Sequence, residues 1–498
     1  MDHKVLRSLT CCILVLSLAG LVRADREADK RNEAIPPNHQ MRPPVHKSIV
    51  PFASGVSPTG FTPQQLRHAY GFDKLATTGA GQTIAIVDAY GSPTIQADLN
   101  SFCATFGLPA TTVAVYYPQG LPASDSDWAA ETTLDVEWAH AIAPGATIAV
   151  VIAKSALSSD LLAAVDYAVG LGAKQISISW SGPEFYSEAT IDYHFNVPGV
   201  SFFASSGDSG AGVSVPASSP YVVAVGGTSL FLDSSSNVSG EYAWSGGGGG
   251  FSAYQPIPAF QIGWLGGAYR NVPDVAYDAD PSTGVPVYQT GVGWAQYGGT
   301  SMSAPQWAAL FALANSLRSP SISSAPNALY SLATTNDAGY FRDIASGSNG
   351  LAAGPNYDLV TGLGVPVADQ LVLALAAGPS PQVATPVFPP PAGVYSGAQN
   401  VTVASITPGA TIRTMTLQAV ASAPGVSDSP ITSTVSTINP SLAYAVTKLS
   451  APGSFFSDAF AINDNQQVTI RIQATPNDND FAYIYRSGNS KKIADLPG

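Results

Sequence analysis

The chain has 498 residues, 45% of them hydrophobic and only 11% charged, with 47 glycines and 39 prolines. That balance suits a turn-rich globular protein of more than one domain and excludes a disordered or collagen-like one. A formal net charge of −13 leaves no excess of basic groups to replace phosphate counterions, which argues against nucleic acid and anionic membranes as partners.

In chain order, Lys4 and Arg7 precede an apolar run from Leu9 to Val22 that ends Val22-Arg23-Ala24. This is the pattern of a cleaved signal peptide over residues 1–24, short for a bilayer span, and it implies a secreted protein with no membrane attachment after cleavage. Cys11 and Cys12 fall inside it, so the mature chain keeps Cys103 alone and no internal disulfide. Cys103 lies in an apolar helical pattern and reads as a core residue. Residues 25–57 are polar and proline-rich, with Pro36-Pro37 and Pro43-Pro44, and read as an extended leader too small for a core of its own. From Thr83 the strands Thr83–Asp88, Ala146–Ala153 and Gln175–Trp180 alternate with helical stretches such as Ser158–Val169. Such alternation predicts βαβ units on a parallel sheet, an α/β domain over residues 58–378. The proline-dense stretch 379–391 is a linker, and beyond it a Thr/Ser/Val-rich sequence predicts a separate β-rich tail.

Three segments carry chemistry. Gly299-Thr300-Ser301-Met302-Ser303-Ala304-Pro305 precedes the apolar stretch QWAALFALANSL. It places Ser301 at a glycine-preceded turn beside unpaired backbone N–H groups, which can bind an oxyanion, with Pro305 in the first turn of the helix. An ordinary helix cap has the same appearance. A nucleophilic serine needs a base, and the subtilisin type takes it from a His-Gly-Thr motif that none of the six histidines forms. Glu131 and Asp135 instead lie four residues apart, on one face of a helix that should stop near Pro144. Two such carboxyls would couple and yield a base that works in acid; a solvated acidic face is the plainer reading. Glu137 is their unmatched neighbour. In FFASSGDSG an apolar strand runs into a tight turn bearing Asp208, which is either a turn former or, when protonated, a donor to an oxyanion.

Taken together and in this order, ETTLD, SSGDSG and GGTSMSAP resemble the sedolisin family of acid peptidases, as do TPQQLRHAYGF, SISWSGPE, the GGGGGFS run and AGPNYDLVTGLG. The resemblance spans roughly residues 60–375. It implies an α/β, subtilisin-like parallel sheet flanked by helices and a serine-carboxyl endopeptidase acting on protein or peptide substrates. By that resemblance Ser301 is the nucleophile, Glu131 the general base, Asp135 the group orienting it and Asp208 the oxyanion donor. Trp180 matches a tryptophan that extends the network in some members, and Asp88 stands where some have a glutamate, an outlying position at best. The family's calcium loop is resembled by Arg342-Asp343-Ile344 and Gly354-Pro355-Asn356-Tyr357-Asp358. One structural Ca2+ would take the side chains of Asp343 and Asp358 and the carbonyls of Ile344, Gly354 and Asn356, the last replacing a more usual glycine.

Residues 392–438 resemble part of the β-sandwich module that ends chitobiases, and 439–498 resemble one bacterial extracellular repeat, which points to cell-wall or polysaccharide contact. Two rivals remain: a subtilisin-like protease of neutral pH using Asp88 and His140, and a secreted, non-catalytic binding protein. The missing His-Gly-Thr motif stands against the first and the intact Ser301, Glu131, Asp135 and Asp208 against the second.

Overall fold

The computed structural model describes residues 57–378 throughout, residues 35–47 apart from 37, 44 and 45, and six strands between Thr414 and Asp495. The expected signal peptide, the linker and most of the two tail modules lie outside the described residues. The chain divides into two compact units, one up to Ser380 and one from Pro381.

The first unit opens with α1 (Pro63–Tyr70), where Thr62 and Gln65 form a reciprocal capping box ahead of Pro63. There follow β1 (Thr83–Ala89), α2 (Ile95–Phe106), β2 (Ala114–Tyr116), α3 (Ser126–Ile142), β3 (Thr147–Ala153), α4 (Ser158–Gly170), β4 (Gln175–Ile178) and β5 (Ser201–Ser205). Next come β6 (Val222–Leu232), β7 (Val238–Ala243), β8 (Val275–Asp278) and the hairpin β9 (Val285–Gln289) and β10 (Gly293–Gly298). Helices α5 (Thr300–Asn315), α6 (Ala325–Tyr340) and α7 (Ala368–Ala377) close the unit. The main sheet runs β7-β6-β5-β4-β1-β3-β2 with β8 beside β6. All pairs are parallel except β7 with β6. The α/β expectation therefore holds, with helices on both faces.

Strand alternation decides what faces what. In β1, Ile84 and Ile86 join the core under α2, α3 and α5, while Ala85, Val87 and Ala89 join the core under α4. Asp88 has the parity of Ile84 and Ile86, so it is aimed at α3 and α5. In β4, Ile176 and Ile178 face α4, which gives Ser177 and, one step beyond the strand, Ser179 the α3 side. Both α3 and α5 are buried almost all round, α5 from Thr300 to Asn315 without exception, as expected of helices enclosed by a core.

Two boundaries differ from the expectation. Trp180 lies past the end of β4, and α5 starts at Thr300, so Ser301 is helical and Pro305 sits inside the helix rather than in its first turn. Gly299 makes the early start possible, because its φ of 108° is open to glycine alone without strain. Cys103 is buried, as its apolar surroundings suggested. In the second unit Thr414–Ala419 pairs antiparallel with Thr432–Thr437, and four strands from Phe456 to Asp495 form an antiparallel meander.

Where β6 meets β8, Arg270 and Asp274 form an ion pair with no exposure on either side. Asp274 also accepts from Ala224 N at 2.8 Å and from Tyr330 Oη at 2.9 Å. Replacing Asp274 with Ala should cost about 3–5 kcal/mol, because it strands a buried guanidinium. Guanidinium chloride unfolding of the full chain measures this, and a loss below about 1 kcal/mol would contradict it.

Candidate active site

The carboxyl ends of β1, β4 and β5 meet the N-termini of α3 and α5, the crevice where open parallel sheets hold ligands. Asp88, Glu131, Asp135 and Ser301 have no exposure to solvent. Ser179 Oγ lies 2.9 Å from Asp135 Oδ1 and 3.3 Å from the carbonyl oxygen of Ser301, so its single proton serves both. That carbonyl needs an outside donor because Pro305, four residues on, has no N–H to offer it.

The acids hold their protons against solvent. Burial drives Glu131 well above the ordinary carboxyl range, helped by Asp135 and Asp88 and opposed by the Ser301 hydroxyl. Asp135 is raised by burial and by Asp88, with Ser179 and Glu131 pulling the other way. Asp88 is pushed up to about 7 by burial, opposed by the Thr132 hydroxyl. Ser301 and Glu131 act on each other at short range, yet neither reaches strict hydrogen-bond geometry here, a looseness common before substrate arrives.

Asp208 follows β5 and is tied to the start of α5: its Oδ1 accepts from Thr300 N at 2.8 Å and Thr300 Oγ1 at 2.7 Å. Burial raises it to about 7 against those two bonds. The glycine run braces the turn, since a Cβ on Gly248 would stand 2.2 Å from the Ser206 carbonyl oxygen.

The structure thus brings together Ser301, Glu131, Asp135 and Asp208, and three expectations change. Asp88 is not outlying: it acts on both Glu131 and Asp135. Trp180 does not join the acids; its Nε1 donates to the Val87 carbonyl at 2.8 Å. His140 is no partner of Asp88, as its Nε2 lies 2.8 Å from the Pro109 carbonyl near the far end of α3. Ser179, Thr300 and Thr132 were missed. Ser179 could have been found by counting alternate residues from β4, but the other two carried no signal.

At the second loop, Asn356 N donates to Asp343 Oδ2 and Gly354 N to Asp358 Oδ2, each at 2.8 Å. Thr361 Oγ1 lies 3.2 Å from Asp358 Oδ1 and 3.5 Å from the Ile344 carbonyl. Both carboxylates and the Ile344 carbonyl therefore border one short segment, an all-oxygen donor set that suits a hard cation. No ion pair with Lys, Arg or His neutralises either aspartate among the described residues. Asn356 has a φ of 65°, a conformation that asparagine tolerates where glycine is otherwise favoured.

Comparison with known proteins agrees with this arrangement. The Subtilase family model matches residues 124–350. Kumamolisin of Bacillus sp. (strain MN-32) is 34% identical over 406 residues, 72% of this chain and 71% of that protein. The chain belongs to the sedolisin–kumamolisin family. It is accordingly a serine-type peptidase. Sedolisin of Pseudomonas sp. (strain 101) is 30% identical over 336 residues, 58% of this chain and 57% of that protein. Among solved structures, Pseudomonas sedolisin, a serine-carboxyl proteinase complexed with two molecules of pseudo-iodotyrostatin, has a TM-score of 0.55 at 27% identity. That match covers 64% of this chain and 98% of the other, which extends the family's fold across the first unit.

The raised acids make stability depend on pH. Asp88 and Asp208 titrate near 7 when folded, against 3.8 without the protein environment. Between those values the folded state binds the extra protons, so their contribution is greatest below about pH 4 and falls as pH rises to about 7. Melting temperature across pH 4–8 should show this decline, and Asp88→Asn should flatten it; superimposable profiles would mean that Asp88 is not held protonated.

Proposed function

We propose that this peptidase is a secreted, acid-active serine-carboxyl endopeptidase of proteins and peptides. In this reading Ser301 attacks the scissile carbonyl while Glu131 takes its proton, and Glu131 returns that proton to the leaving amine. Asp135, fixed by Ser179, orients Glu131 and carries the proton that the pair shares. Asp208, protonated, and the backbone N–H of Ser301 in the first turn of α5 hold the oxyanion. The observation that carries the reading is the close set of Ser301 and three fully buried, interacting carboxyls, Asp88, Glu131 and Asp135, with Asp208 tied to Thr300 at the start of the same helix.

Such a set works only where one carboxyl can be ionised while Asp208 keeps its proton, which is to say in acid. On a denatured protein substrate, Ser301→Ala should lower kcat/KM by at least about 1000-fold. Asp208→Ala should lose about 100-fold or more, whereas Asp208→Asn, an uncharged donor at every pH, should extend activity toward neutral pH. Activity confined to pH 7–8 in the unaltered enzyme would remove this mechanism.

We also assign one structural Ca2+ to the Asp343–Asp358 loop, held by those two side chains and the carbonyls of Ile344, Gly354 and Asn356. The ion would offset the mutual repulsion of the two carboxylates and clamp the loop without entering the chemistry. Chelation should lower the melting temperature and Asp358→Ala should abolish the effect of added calcium; metal analysis of active enzyme that finds no calcium would refute the site. The β-rich tail we assign to attachment, with cell wall or polysaccharide as its partner.

A further inference from the structure

Glu137, the unmatched neighbour of the acid pair, takes no part in the chemistry above. It meets instead the hairpin that leads into Ser301. Strand β9 is the outer strand of that hairpin among the described residues, and Tyr288 faces Trp294 of β10 across it. Tyr288 N turns away from β10 and donates to Glu137 Oε2 at 3.1 Å. Two residues on, Thr290 N donates to Asp98 Oδ1 at 2.8 Å. Two residues back, Pro286 has no N–H to offer, and its carbonyl takes the Trp138 indole N–H at 3.1 Å. Every second residue along this edge is thus met by a side chain from α2 or α3, where a further strand would otherwise pair.

Neither acid has any exposure, and the Thr94 hydroxyl also holds Asp98, at 2.7 Å. Glu137 Oε1 is buried with no hydrogen-bond partner. Burial raises Glu137 well above the ordinary carboxyl range, opposed by the Tyr288 N–H and helped by the charge of Asp98. The other titratable groups that face it are Cys103 of α2 and Tyr297 of β10, and it forms no ion pair among the described residues. Trp294 lies against Phe106 and Phe102, with ring centroids 5.4 and 6.2 Å away, so the body of the hairpin has an apolar hold on α2 apart from the acids. Its tip has a different surrounding: Gln289 and Val292 line a cleft of about 610 Å³ with Asp127, Trp128 and Ala130, next to Glu131.

We infer that Glu137 is a positioning residue of the peptidase: in its neutral form it pins the edge of β9, so that the tip of the hairpin stands as a fixed wall of the substrate cleft. Asp98 grips the same edge from α2. That the cleft receives substrate rests on Ser301 and Glu131 as the reacting pair; the clamp itself does not. Because Ser301 is held by α5, which is buried throughout, a loosened tip weakens substrate binding and leaves turnover of bound substrate nearly unchanged. Ionising Glu137 sets a second negative charge beside Asp98 in a buried place, and the tip lets go. The clamp is therefore closed in acid and opens as pH rises.

The test uses the full chain and a soluble peptide substrate. In acid, Glu137→Ala should raise KM at least about fivefold with kcat within about twofold, whereas Glu137→Gln, neutral and still an acceptor for Tyr288 N, should keep both within about twofold. As pH rises, KM of the unaltered enzyme should climb ahead of KM of Glu137→Gln. Equal losses in the two variants, an unchanged KM in Glu137→Ala, or superimposable pH profiles of KM overturn the inference. Hydrogen exchange in Ser301→Ala gives a second reading, with the amides of Tyr288 and Thr290 slowed at least about tenfold relative to a free peptide. Exchange there at the rate of a free peptide overturns the clamp even where Glu137→Ala does not fold. If those amides are protected but Ser301→Ala is as active as the unaltered chain, the clamp stands and the assignment of the reacting pair fails.

Discussion

Placing several carboxyl groups out of water with no cation beside them is the constraint on which the rest of the structure depends. Asp88, Glu131 and Asp135 have no exposure, and none forms an ion pair among the described residues. An ionised carboxylate in that setting carries a large desolvation cost, so the group keeps its proton and its pKa climbs. They are enclosed by a sheet whose central strands are buried on both faces and by two helices, α3 and α5, buried nearly all round. A shallower cleft would hydrate the acids, return them to ordinary values and dissolve the coupling between them.

The molecule handles buried acids in a second way elsewhere, and the contrast separates structure from function. Asp274 is equally buried but is matched by Arg270, by a backbone N–H and by Tyr330. That pair is satisfied from several sides. Asp88, Glu131 and Asp135 form no ion pair among the described residues, so protons are what balance them.

Much of this was legible in the sequence because periodicity carries it. The four-residue spacing of Glu131 and Asp135 places them on one helical face whatever the surrounding fold, and the strand-helix alternation is visible without a structure. Asp88 was undervalued because its importance comes from which side of β1 meets α3, a tertiary fact; the parity of Ile84 and Ile86 indicates a face but not its occupant. Trp180 was overvalued for the opposite reason. The family resemblance suggested a place in the network of acids, whereas the indole N–H donates to the backbone of β1. The start of α5 escaped because Pro305 reads as a first-turn residue, whereas in the structure the Ser301 carbonyl, which Pro305 cannot serve, lies 3.3 Å from the Ser179 hydroxyl just past β4.

That last detail links the fold to the chemistry more tightly than the list of acids does. Pro305 deprives the Ser301 carbonyl of its helical partner, and the replacement donor is the same hydroxyl that contacts Asp135. The backbone of Ser301 and the side chain of Asp135 are thus tied through a single oxygen. Thr300, one residue earlier, makes the matching tie to Asp208 through its N–H and its hydroxyl. Two adjacent residues at one helix end therefore fix the spacing of Ser301, Asp135 and Asp208. Because the whole of α5 is packed in the core, that end cannot drift without moving the core itself, which gives the three groups the shared rigid support that preorganised catalysis requires.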